Sequence, residues 1–342
     1  MNDKRYIEID KYESEFRKLI ETKFNIKLEG MFSSSCSEMN GPINFKARIS
    51  TKNRNLLGTR YFYSSNKKVI HFTSLPVLFS IINENALRLY NLHNSNDENE
   101  YSYAVDKLKD IYKIQGIDNE KIKGSINITK EYSFIFSSTS HEAIKKKSFW
   151  QNYGDKGKGV AIEFEIINPV EEWEYFYFSK VHYDKLSDFN TLTKEWEKIQ
   201  VKNRHVFYGI DLNQFLSLHK SHDWSEEDEI RILTLYPDLH SIPFKGQIYQ
   251  DFKPAKPHSK IKYFKLPLCD KNGNFIEKGL NDRKEIFWSI IPRIRISDIY
   301  WGPDFPIQGK DLYNFQNKLK YYIYEKMKCR IGSLPKNIEK IE

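Results

Sequence analysis

Between Tyr132 and Glu165 the chain reads YSFIFSSTSHEAIKKKSFWQNYGDKGKGVAIEFE, two apolar and aromatic runs separated by a polar, glycine-bearing insert. Runs of this kind suit half-buried strands bounded by small polar residues. The first strand, Tyr132 to Ser137, ends on Ser138-Thr139-Ser140, and the second covers Val160 to Phe164. Glycines at 154, 157 and 159 lead into a strand and not a helix. The spacing therefore matches neither a dinucleotide-binding loop nor a P-loop, and reads as a flexible turn after Phe149-Trp150-Gln151-Asn152-Tyr153. Three adjacent hydroxyls at a strand end can position a sugar or phosphate. They can equally turn the chain or cap the segment His141 to Lys146.

With 342 residues the chain is long enough for one large domain with appendages or two modest ones. Its 22 Tyr and 23 Phe supply apolar area that Leu and Ala supply elsewhere, and serve equally as core, interface or stacking surface. Lys and Arg number 54 against 46 Asp and Glu, a formal charge of +8 that leans toward polyanions or phosphate-bearing ligands. Cys36, Cys269 and Cys329 are far apart and have no neighbours at zinc spacing, which points to a reduced, cytoplasmic protein without a structural metal. The charged opening MNDKRYIEIDKYESEF has no signal-peptide character, and no run of 18 apolar residues occurs, so no membrane partner is expected.

Residues 10–24 place Tyr12, Phe16, Leu19, Ile20 and Phe24 at helical intervals. From Lys27 to Asn66 the pattern dissolves into an irregular arm, so residues 1–67 read as an N-terminal helix and arm. The main domain, 68–308, opens with the strand Val69 to Phe72 and a helix from Leu75, with Pro76 in its first turn and Val77, Leu78, Ile81 and Ile82 on one face. A strand follows at Ala86 to Tyr90, then a helix from Asp97 to Ile111 and a polar loop from Ile114 to Lys130. Trp173 to Tyr183 reads as a strand paired with Val160 to Phe164, and residues 184–222 as one or two helices. In WSEEDEIRILTLY a strand would project Glu227 and Glu229 from the same side. Positions 243–267 are basic and proline-punctuated, ending in the strand Ile261 to Leu266, and Asn272-Gly273 signals a hairpin. A last strand, Ile294 to Trp301, precedes residues 309–342, a C-terminal helix and tail packed on the core. Strands and helices mix without steady βαβ alternation, which favours an α+β fold with mixed, mainly antiparallel sheets.

The ordered segments HFTSLPVLFSIINENALRLYN, NSNDENEY, FIFSSTS, FWQNYGDKGKGVAIEF, WSEEDEIRIL and IYWGP resemble a bacterial family designated domain of unknown function 2971, over about residues 68–308. More distantly, the same landmarks resemble ADP-ribosyltransferases. In one branch of those enzymes a strand histidine holds the NAD ribose, as His71 would here. In another, an aromatic-x-Ser-Thr-Ser strand precedes a Glu-x-Glu pair, matched in order by Phe136-Ser137-Ser138-Thr139-Ser140 and Glu227-Asp228-Glu229. The chain mixes the two patterns, with His71 where the second branch has a first-strand arginine.

That resemblance implies a split-sheet core with flanking helices and NAD as cofactor. Cleavage of the nicotinamide–ribose bond passes through an oxocarbenium-like cation, so a carboxylate beside the ribose acts mainly in the transition state. Glu229 would take that role as catalytic residue, and Glu227 would orient or deprotonate the acceptor. His71 and Ser138 would hold the ribose hydroxyls, Thr73, Thr139 and Ser140 would add further contacts to NAD, and Trp150 or Tyr153 would stack on nicotinamide or adenine. The expected function is an NAD-dependent ADP-ribosyltransferase acting on a protein or nucleic-acid acceptor, in the manner of a bacterial toxin or antiphage effector. The alternatives are a non-catalytic nucleotide- or RNA-binding module using the same cleft, and a metal-dependent nuclease using Asp97, Glu100, Glu227 or Glu229.

Overall fold

The structure is a computed structural model describing residues 28–34, 43–49, 56–65, 67–94, 119–183, 206–210, 217–235, 248–253, 256–276 and 290–328, with 11, 14, 15, 17–23, 25, 106, 194, 195 and 198. Its strands, in chain order, are β1 (Leu28–Ser34), β2 (Ile43–Ile49), β3 (Lys68–Thr73), β4 (Ala86–Asn91), β5 (Ser133–Ser138) and β6 (Val160–Ile166). They continue as β7 (Phe176–Lys180), β8 (Val206–Ile210), β9 (Ile230–Leu235), β10 (Ile248–Lys253), β11 (Lys256–Pro267) and β12 (Ile294–Trp301). The α-helices described over their full range are α1 (Leu75–Glu84), α2 (Asn119–Tyr132), α3 (Lys147–Asn152) and α4 (Gly309–Met327).

The chain forms two compact units, each assembled from separated segments. One comprises residues 1–62, 91–133 and 181–225, and the other residues 63–90, 134–180 and 226–342. In the first unit β1 and β2 pair antiparallel and β8 joins β2 in parallel. Strands thus occupy part of the stretch expected to be an irregular arm, and β8 lies where helices were expected. α2 also replaces much of the polar loop expected from Ile114 to Lys130. Its polarity hides the period: Glu120 and Lys123 pair one turn apart at 2.9 Å while Thr129 is buried. Residues 17–23 of the N-terminal helix are helical with Ile20 enclosed. Tyr12, Phe16, Phe24, most of the Asp97–Ile111 helix and most of 184–216 lie outside the described residues.

The second unit holds a six-stranded sheet, ordered β10-β11-β4-β5-β9-β7, and a three-stranded antiparallel sheet, β12-β6-β3. The fold is therefore mixed α and β with mainly antiparallel sheets. β7 pairs with β9, not with β6 as expected, because β6 is already flanked on both sides by β3 and β12. Two backbone hydrogen bonds of 2.9 Å between Ile70 and Thr139 join β3 to the chain just beyond β5.

Each face of β3 and β6 has its own packing. On one, His71 lies against Phe136 and Phe136 meets Phe164 edge-on. On the other, Ile70, Phe72 and Ala161 pack under Ala143, Ile144, Phe149 and Trp150. Each large side chain so enclosed contributes roughly 1.5–3 kcal/mol of hydrophobic stabilisation.

α1 follows the sequence expectation, with Pro76 in its first turn and Asn85 closing it in the left-handed region at φ 49°. Its buried face is Leu78, Ile81 and Ile82, whereas Val77 points to solvent.

The glycine segment expected to be a flexible turn is a pinned one. Gly159 N–H donates to Gly154 O, Gly302 N–H to Gly159 O, and Asp304 N–H to Gly157 O, at 2.9–3.0 Å. A Cβ on Gly159 would sit 2.3 Å from Thr73 O, so this residue must lack a side chain for β3 and β6 to begin side by side.

Candidate functional site

Three segments distant in sequence meet where β3, β5 and β9 begin or end. His71 projects from β3, and its Nδ1–H donates to Ser137 O at 2.9 Å. A carbonyl only accepts, so the neutral ring carries its proton on Nδ1 and presents Nε2 as an acceptor. Nε2 has no hydrogen-bond partner among the described residues. Burial favours the neutral ring and holds the imidazole below its usual range, partly opposed by the bond to the Ser137 carbonyl, which favours the charged form.

The Ser138-Thr139-Ser140 cluster divides by role. Ser138 Oγ donates to Ile230 O at 2.8 Å, and Thr139 Oγ1 reaches both Glu227 O at 3.1 Å and Asp228 O at 3.2 Å. These two buried hydroxyls staple β5 to the segment entering β9. Ser140, half-buried, stands at the N-terminal cap position of the 3-10 turn His141–Lys145 but makes no capping bond. Thr73 is buried at the end of β3, with its carbonyl facing Gly159.

Glu227 and Glu229 are not successive outward residues of one strand, as the alternation implied. His222–Glu227 is a 3-10 turn, Asp228 has a positive φ of 39°, and β9 starts only at Ile230. An Asp is among the few non-glycine residues that accept this conformation at modest cost. Lys180 Nζ holds the Asp228 carboxylate at 3.2 Å.

The two glutamates consequently have different surroundings. Glu227 is half-buried and accepts a short hydrogen bond from the Tyr153 hydroxyl. Burial, that bond and the charges of Glu227 and Glu229 together raise the Tyr153 pKa, so the phenol stays protonated. Glu229 is enclosed, and Arg231 takes both its oxygens, Nε to Oε1 at 2.7 Å and Nη2 to Oε2 at 2.9 Å.

Of the two rings expected to stack on a ligand, Trp150 is unsuited. It is fully buried, donates Nε1–H to Ile144 O at 2.7 Å and meets Phe72 edge-on. Tyr153 remains, half-buried beside Phe149. The aromatic cluster around Trp150 thus anchors α3, which delivers Tyr153 to Glu227.

Sequence reasoning missed Glu163. This β6 residue is buried, yet its carboxylate receives Lys68 Nζ and Ser297 Oγ at 2.7 Å each, His141 Nδ1 at 3.1 Å and Tyr300 OH at 3.4 Å. Burial alone would raise its pKa. The bonds from Lys68 and Ser297 with the charges of Lys68 and His141 outweigh burial and lower it. The available signal was a lone carboxylate between apolar neighbours in VAIEFEI, a pattern that requires a partner when both strand faces are covered.

Among the described residues no group of three or more His, Cys, Asp and Glu is placed to hold a metal ion. Asp97 and Glu100, named for the nuclease alternative, lie outside the described residues. No described helix is long and apolar enough to cross a membrane. No curated protein and no solved structure matches the chain. A family model described as "Protein of unknown function (DUF2971)" matches residues 149–232, the stretch that contains Tyr153, Glu227, Glu229 and Arg231.

Proposed function

We propose that this chain is an NAD-dependent ADP-ribosyltransferase that modifies a protein or nucleic-acid acceptor. The observation that carries the reading is the hydrogen bond from the Tyr153 phenol to a half-buried carboxylate, Glu227, whose backbone carbonyl Thr139 ties to the end of β5. In this reading Ser140 offers the ribose a polar contact and Tyr153 fixes Glu227, whereas the His71 ring lies on the other face of β3 from the cluster that holds Tyr153. As the nicotinamide–ribose bond breaks, its electron pair leaves with nicotinamide and positive charge grows on the ribose. A fixed anion nearby stabilises that charge without reorganising. Glu227 suits this role better than Glu229, whose two oxygens are held by Arg231.

The test is nicotinamide release from NAD by the purified chain, followed by transfer of label onto protein or nucleic acid. Glu227→Gln keeps size and hydrogen bonding but removes the charge. It should leave NAD affinity near wild type and lower turnover by roughly two to three orders of magnitude.

One observation favours a second reading. Ser138, Thr139 and Glu229 are all occupied by structural partners, as in a rigid binding module that recognises a nucleotide or RNA without cleaving it. NAD affinity with no nicotinamide release, whatever acceptor is supplied, would select that reading.

A further inference from the structure

Glu163 is a buried charge that the proposed chemistry leaves unused, and its two oxygens have different neighbours. Oε1 receives Lys68 Nζ and Ser297 Oγ at 2.7 Å each, which ties it to β3 and β12. Oε2 faces His141 Nδ1 at 3.1 Å and Tyr300 OH at 3.4 Å. An ionised carboxylate only accepts, so Nδ1 carries a proton, and the neutral ring offers Nε2 as an acceptor on the side away from Glu163. The bond to Glu163 is the only one the ring makes among the described residues. The His141 side chain is 46% exposed, against 4% for Glu163, so a buried anion holds an accessible imidazole.

Strand register brings this dyad to the Tyr153–Glu227 pair. Glu163 is opposite Ile70 in β3, and Ile70 is opposite Thr139 through two backbone bonds. Directly opposed residues of antiparallel strands project to one face. On that face lies the cluster containing Ile70, against which Tyr153 and Tyr300 both pack. Thr139 is two strand spacings from Glu163, about 10 Å, and its Oγ1 meets the Glu227 carbonyl at 3.1 Å. From Thr139 the chain passes through Ser140 into the turn His141–Lys145, and the His141 ring spans the width of β3 to reach Glu163. The imidazole thus shares a face with Tyr153 and Glu227 and adjoins Ser140 in sequence.

We propose that His141, aligned by Glu163, is the general base that takes the proton of a serine or threonine hydroxyl on a protein acceptor, a role that rests on the transferase reading above. The acceptor oxygen gives a lone pair to ribose C1′ as the C1′–N bond breaks and its electron pair leaves with nicotinamide. The O–H proton passes to Nε2, and the imidazolium so formed is stabilised by Glu163 before it returns the proton to water. Glu227 then has the developing ribose cation as its sole task. A hydroxyl needs such a base because its proton becomes acidic only as the oxygen attacks. A carboxylate acceptor has no proton to lose, and a guanidinium holds its proton too tightly for an imidazole to remove. The ion pairs at the ring and in its turn cancel, Lys68 with Glu163 and Lys145 with Glu142, which suits a neutral side chain better than a phosphate-flanked ribose.

The experiment incubates the full chain with phosphate-labelled NAD and, separately, the protein and nucleic-acid fractions of a cell lysate, following nicotinamide release and label transfer together. Wild type should label protein through a bond that neutral hydroxylamine, which cleaves esters, leaves intact. His141→Asn keeps an N–H for Glu163 but is no base, and His141→Ala leaves room for added imidazole. Both should release nicotinamide within about threefold of wild type, with water taking the ribose cation to give ADP-ribose. Both should lose label transfer by about a hundredfold or more. Imidazole should restore transfer in His141→Ala and not in His141→Asn, a response that a merely structural histidine would not give. Transfer retained by His141→Asn, absence of imidazole rescue, a hydroxylamine-labile bond or label on nucleic acid instead of protein would each overturn the proposal while leaving the transferase reading in place. So would release lost together with transfer in both variants. No release from wild type would overturn the transferase reading itself and this role with it.

Discussion

Arg231, the second residue of β9, holds both carboxylate oxygens of Glu229 two positions before it, with the guanidinium wholly enclosed and the carboxylate nearly so. Such a pair is costly to break because the surviving charge stays buried, even where replacing both partners by apolar groups costs little. Glu229→Gln should therefore destabilise the fold by roughly 3–5 kcal/mol, and the double variant Glu229→Leu/Arg231→Met should recover much of that loss. Urea unfolding of the three proteins measures it. Unchanged stability in Glu229→Gln, accompanied by lost nicotinamide release, would instead return Glu229 to the chemistry.

The Tyr153 hydroxyl fixes the direction of the Glu227 carboxylate. Hydrogen bonds to charged groups contribute about 1.5–3 kcal/mol, and only the part that differs between substrate and transition state enters turnover. Tyr153→Phe should lower kcat for nicotinamide release by about tenfold while leaving KM within a factor of about three. A rise in KM at constant kcat would mean that Tyr153 binds NAD and does not orient the carboxylate.

Much of the second unit was legible because its signals are local. β12 has the limits read from Ile294 to Trp301, α1 starts where Pro76 allowed, and Asn272-Gly273 turns the chain back onto an isolated Cys269–Phe275 bridge, with Gly273 at φ 82° and Asp270 Oδ1 accepting from Asn272 and Asn274 N–H. What composition left open was the use of each ring: Trp150 became core and Tyr153 a site residue, although they are three apart. Strand partners were equally hidden, since nothing near Phe176–Lys180 indicates that β9 and not β6 lies beside it. That β3 lies beside Thr139, and through Thr139 beside Glu227, depends on the Ile70–Thr139 bridge, a contact with no local sequence signature.

Glycine substitutions separate close approach from conformation. Gly159→Ala would thrust a methyl to 2.3 Å from Thr73 O and 2.8 Å from Gly154 O, both backbone atoms that cannot yield alone. It should destabilise by more than about 3 kcal/mol and shift His71 with β3. Gly124 in α2 has nothing within 4 Å of an added Cβ, so Gly124→Ala should be neutral or stabilising by up to about 1 kcal/mol. Thermal unfolding of both variants is the check, and a tolerated Gly159→Ala would contradict the packing of β3 against the Gly154–Gly159 turn.

His71 should give the second unit an acid-sensitive step. Burial depresses its pKa in the folded state below the ordinary 6.5, so the unfolded chain binds the proton more readily. The sign follows from linkage: the contribution is fully present above about pH 6.5 and is lost as pH falls through that value toward the folded-state pKa. Glu163, whose pKa is also depressed, acts with the same sign but from the carboxylate range, below its ordinary 4.5. The two are therefore separable by pH window. Between pH 7 and 5 the melting temperature of wild type should fall more than that of His71→Gln, which keeps an N–H for Ser137 O but does not titrate. Parallel melting curves for the two proteins across pH 7 to 5 would show that this histidine does not titrate with unfolding.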